Sequence, residues 1–106
     1  MSKSHAFQLA YTINPIKRIH EPEADTARAH MRKKMGWAPV DDLQTTLLGE
    51  IELASGTQEE KRREARTLVR KQIRDAFKAL DVEHLVTFTG SLMVSDLKDA
   101  IEVEIP

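Results

Sequence analysis

The stretch from residue 57 to residue 81, TQEEKRREARTLVRKQIRDAFKALD, constrains this chain more than any other. Thr57 followed three residues later by Glu60 is a capping-box pattern: the hydroxyl accepts from a backbone N–H that no helical carbonyl reaches, and the carboxylate reaches back to the cap. A helix therefore starts here. Ala65, Leu68, Val69, Gln72, Ile73, Ala76, Phe77 and Leu80 then recur at three- and four-residue steps, which lays a mostly apolar stripe along one side of the cylinder. A stripe of that length must be covered by a sheet. Arg62, Arg66, Arg70, Arg74 and Lys78 recur at strict four-residue spacing on another side, with Lys61, Arg63 and Lys71 beside them, so a cationic ridge runs along the same helix.

At 106 residues the chain is long enough for one two-layer core and too short for two, so a single domain over 1–106 is expected. Its charged share of 31% and hydrophobic share of 41% are those of an ordinary soluble globule. The longest apolar runs fall far short of the ~20 residues a membrane helix needs. No basic segment leading into an apolar one opens the chain, so no secretory signal is read, and a cytoplasmic location is the default. The absence of cysteine removes disulfides and thiolate metal sites. A net charge of −1 argues against a protein built mainly to hold nucleic acid. That average conceals a division, for residues 57–81 carry +3 and residues 82–106 carry −4.

Taken in order, residues 5–13 place Phe7, Leu9, Tyr11 and Ile13 on one face of a strand that Asn14-Pro15 ends. A first helix is predicted over 22–35. Pro22 suits its first turn, acidic residues stand at its start and basic ones at its end, and Gly36 follows in the position that favours a left-handed conformation. Trp37 to Val40, broken by Pro39, belongs to an edge or a turn, with the indole closing the core over the first helix. Strands follow over 43–53, 84–94 and 100–105, the second and third of these after the long helix. The order gives a ferredoxin-like α+β plan, βαββαβ with an additional C-terminal strand and both helices on one face of an antiparallel sheet. The other face is then uncovered, with Leu48, Leu85 and Met93 on it, and self-association is expected there or through the last strand.

This pattern resembles the small ferredoxin-like proteins of the CRISPR spacer-acquisition and VapD type. The resemblance rests on Leu9-Ala10-Tyr11-Thr12-Ile13 ending the first strand, Met35-Gly36-Trp37 closing the first helix, Leu43-Gln44-Thr45-Thr46 opening the next strand, and Ala79-Leu80-Asp81 leading through His84 to Leu85-Val86-Thr87-Phe88. It implies a homodimer, with residues 100–106 adding to the partner's sheet, in a mobile-element, toxin-antitoxin or defence setting. Nucleases of the family hold a divalent ion with a first-strand aspartate. Thr12 stands in that place here, and a neutral hydroxyl is a poor ligand for Mg²⁺.

Among candidate sites, the row Arg62, Arg66, Arg70, Arg74 and Lys78 is the one suited to DNA or RNA phosphates, against the alternative of a solvated helix face. Stacking aromatics are missing from it. His5, His20, His30 and His84 show no metal-ligand spacing and read as surface or strand-end residues. Asp41-Asp42 reads as a turn or a cap; its functional alternative is a weak divalent-ion site with Glu50 or Glu52. No nucleophile elbow or glycine-rich phosphate loop is present, and no cofactor is expected. These features point to a non-catalytic homodimer that binds nucleic acid or a protein. The alternatives are a metal-dependent endonuclease using Asp41 or Asp42, and a purely structural interaction module.

Overall fold

The computed structural model describes residues 2–33, 35–40, 43–54 and 56–106, and of residues 2, 39, 40 and 43–45 only the backbone. Strand β1 (Ser2–Pro15) leads through one 3-10 turn, Arg18–His20, into helix α1 (Glu21–Lys33). Strands β2 (Ala38–Val40) and β3 (Leu43–Ala54) follow, then helix α2 (Gln58–Ala79) and strands β4 (Val86–Val94) and β5 (Ile101–Ile105). The sheet has the order β2-β3-β1-β4-β5 with every neighbouring pair antiparallel. Two helices on an antiparallel sheet make this an α+β protein, consistent with a ferredoxin-like fold.

Strict alternation decides which face the helices cover. His5, Phe7, Leu9, Tyr11 and Ile13 of β1 are buried while Ser4, Ala6, Gln8, Ala10, Thr12 and Asn14 are exposed. In β4 and β5 the buried positions are Val86, Phe88, Gly90, Leu92 and Val94, then Ile101, Val103 and Ile105. Ala24, Ala27 and Met31 of α1 and Ala65, Val69, Ile73 and Phe77 of α2 join these in one cluster, so both helices lie on the same side. Phe77 meets Phe88 at 6.3 Å between ring centroids, and Tyr11 stacks on the same ring at 5.6 Å. Trp37 is buried edge-on against Phe7. A Cβ at Gly49, across the ladder from Phe7, would come within 2.8 Å of both rings, which is why the strand has glycine there.

The helix ends follow from local chemistry. Thr57 and Glu60 close the capping box, with Glu60 N–H donating to the Thr57 hydroxyl at 3.1 Å and Thr57 N–H to the Glu60 carboxylate at 3.3 Å. Gly36, past α1, has φ +80°, as its position after the helix predicts. Asp81, Asp96 and Asp99 take left-handed conformations in turns, a place aspartate tolerates better than most residues.

Two expectations change. The strand predicted from His84 begins at Val86, and Leu85 is packed against the core rather than on the open face, because its N–H turns back to Val82. His5 is not a surface residue: it is 2% exposed, sharing the parity of Phe7 and Leu9, and its Nδ1–H donates to the Ser95 carbonyl at 2.9 Å while Nε2 is buried without a partner. Residues 101–105 form β5 at the edge of the sheet, paired with β4, as the additional C-terminal strand of the expected plan. Among the described residues no helix is long and apolar enough to cross a membrane.

Candidate binding surfaces

Two surfaces stand out, the uncovered sheet face and the cationic side of α2. The second is the more structured. Arg66 Nε donates to the Glu102 carbonyl at 3.0 Å and Arg70 Nε to the Glu104 carbonyl at 3.1 Å. Arg62 reaches the turn before β5, donating from Nη1 to the carbonyls of Lys98 and Asp99, the latter at 2.8 Å, and from Nη2 to Ala100 at 3.2 Å. Four residues of helix rise ~6.0 Å and two residues of strand ~6.6 Å, so a helix lying alongside a strand matches one arginine per turn to every second carbonyl. The ridge is therefore a ladder on the outer edge of β5.

An edge strand presents unpaired carbonyls that invite another strand. Here guanidinium groups take them. The opposite edge is handled differently, by a three-residue β2 containing Pro39, which has no N–H to offer. A further arginine serves the middle of the sheet. The described pairing of β1 with β3 stops at Ala10–Thr46, and beyond it the Ile13 carbonyl accepts from Arg28 Nε at 3.1 Å and from Nη2. Arg28 Nη1 in turn pairs with Glu21 at 2.9 Å and Asp25 at 2.8 Å, and the Glu21 hydrogen bond is the main reason its pKa is raised. Gln58 adds a clamp at the N-terminal end of α2, donating to the Asp96 carbonyl and accepting from Lys98 N–H.

Of the five cations read as a phosphate row, Arg62, Arg66 and Arg70 thus hold backbone. Arg74 shares a surface depression with Ile105 and Pro106. Lys78 lies with Arg66, Arg70 and Arg74 along a shallow groove on α2, joined there by Lys71, Thr67 and Asp75. The basic helix and the acidic C-terminal segment do meet. They meet through carbonyls, while the side chains of Glu102 and Glu104 point to the open face.

That open face is the other candidate. Ladder register aligns Ala38, Leu48, Gln8 and Met93 in one row across four strands, with Leu48 44% and Met93 56% exposed. Glu50 and Glu52 stand on β3 toward one corner, Glu102 and Glu104 on β5 toward the diagonal one, and among the described residues of this face there is no lysine or arginine. Ala10, Thr12, Thr89 and Ser91 floor a shallow depression between them. Among the described residues of this face there is also no aromatic ring of the kind that stacks on bases. Thr12, at the position where the resemblance has aspartate, is exposed there. Asp41 and Asp42 lie outside the described residues. No three metal-ligating side chains gather among the described ones.

Fold and surfaces define a small α+β protein with a bare sheet face and a cationic helix locked to the sheet's edge. Comparison with family models, with curated proteins and with solved structures returns no match.

Proposed function

We propose that this chain is a non-catalytic binding protein of ferredoxin-like topology that works as a homodimer joined through its uncovered sheet face. The observation that carries the reading is the exposed row Ala38–Leu48–Gln8–Met93 on the face opposite both helices. Five strands spaced ~4.8 Å and running ~25 Å give a face on the order of 500 Å². Two such faces reach the ~1,000 Å² that a specific interface requires. Charge does not forbid it. A two-fold axis along the strands sets Glu102 and Glu104 against the Thr46 end of the partner's β3, and Glu50 and Glu52 against the turn before its β5, so that like charges do not face each other.

The test is sedimentation equilibrium at micromolar protein, where about twice 12.0 kDa is expected. Met93→Glu, at an exposed position that folding does not need, should give the monomer. A monomeric unaltered chain removes the proposal. The mobile-element, toxin-antitoxin or defence setting is proposed with it, on the short motifs of the first strand and first helix. The endonuclease alternative is carried by Asp41 and Asp42: Mg²⁺-dependent cleavage that vanishes in Asp42→Ala would establish it in place of a binding role.

A further inference from the structure

We infer that the groove along α2 between the row Arg66, Arg70, Arg74, Lys78 and its neighbour Lys71 binds the phosphodiester backbone of a nucleic acid, independently of base sequence. Arg66 and Arg70 use only Nε on the β5 carbonyls, and their Nη groups make no hydrogen bond among the described residues. An arginine tied by Nε has lost most of its rotamer freedom, so the ordering cost of presenting its forked Nη donors is already met by the fold. Two fixed forks thus stand one helical turn, ~6 Å, apart.

The surroundings decide from which side an anion approaches. On the sheet side these arginines face the backbone carbonyls of Glu102 and Glu104, which accept hydrogen bonds and offer an anion nothing. On the helix side the groove holds five cations and a single carboxylate, Asp75. Arg62 does not belong to the site, because both of its Nη groups are bound to the carbonyls of Lys98, Asp99 and Ala100. Lys71 does. Without an aromatic ring in the groove the contact is to phosphate alone, so affinity should follow charge and salt and ignore sequence.

The experiment measures binding of fluorescently labelled oligo(dT), oligo(dA) and a duplex of equal length to the full chain at several salt concentrations. The two homopolymers should bind alike, and four phosphate contacts on a single strand give a log–log salt slope of about −3. The single-strand and duplex arms tell which form supplies the backbone. Lys71→Glu with Arg74→Glu, neither of which bonds to β5, should weaken binding by roughly tenfold or more with the helical circular dichroism unchanged. Arg62→Gln should leave binding intact while lowering thermal stability. Binding that survives the double reversal, binding lost as fully in a folded Arg62→Gln, or no binding of any oligonucleotide at low salt would each overturn the proposal.

Discussion

Tyr11 is the sole tyrosine, so its titration can be followed by tyrosinate absorbance with no other contribution. Burial raises its pKa above the ordinary 10.0, with Arg32 and then Arg28 pulling the other way. A folded-state pKa above the unfolded one means that the folded chain holds the proton more tightly. Its contribution to stability is complete below about pH 10 and is lost as pH rises through the folded value. Tyrosinate should therefore form at higher pH in the folded chain than in urea, and denaturant midpoints should fall above pH 10; a folded-state titration at or below the unfolded one would contradict the burial. At the same scale, Phe77→Ala opens the centre of the core beside Phe88 and should cost ~3–5 kcal/mol by urea unfolding. Arg70, on the helix's other side, bonds to an edge carbonyl, so Arg70→Ala should cost ~0.5–1.5 kcal/mol. Read from the sequence alone, Arg70 looks like a solvent residue of almost no consequence. The difference is one backbone oxygen that only the fold brings within reach.

At the scale of elements, the pairing of α2 with β5 is the part that composition least foretells. Helices cover sheets through apolar stripes, and Val69, Ile73 and Phe77 do so here. The arginines then extend the contact past the last strand. Changing Arg62, Arg66 and Arg70 together to glutamine should leave α2 folded, since Thr57 and Glu60 still cap it, while β5 loses its outer partners. Amide protons of β4 and β5 should then exchange faster than those of β1 and β3, and the freed edge should promote slow self-association by strand addition. Equal exchange rates in the altered and unaltered chains would show that the ladder holds nothing. The elements themselves were legible: the capping box, the period of α2 and the alternation of β1, β3 and β5 all lie where residue pattern puts them. His5 was legible too, by its parity with Phe7, but a lone histidine in a strand reads as easily for a strand-end residue.

For the whole molecule, a net charge of −1 hides two opposed surfaces. The open face carries four glutamates without a counter-charge among the described residues, and α2 over 58–79 carries eight basic residues against four acidic. Salt should act on the two proposed contacts in opposite senses. Screening relieves repulsion between two acidic faces, so the dimer should hold or tighten from low to high ionic strength, while oligonucleotide affinity falls steeply. Sedimentation and binding measured on the same samples check both; a dimer that dissolves with salt would move the self-contact from the apolar row to a charged surface.

By itself the sequence determines the elements, their order and which side of each is apolar, because helical and strand periods are local and a capping box or a left-handed glycine is read within a few residues. It also points to one sheet face left over, since β1, β4 and β5 each alternate an apolar side with a polar or charged one. What the arginines do was decided only by tertiary structure. Whether Arg66 meets water, phosphate or the Glu102 carbonyl depends on α2 lying along β5 in matching step, a relation between residues 36 apart that is mediated by backbone atoms and leaves no mark in side-chain pattern. The same packing separates Leu85 from Leu48 and Met93, for a chain reversal at Val82 draws Leu85 to the core while register alone sets the other two in the open.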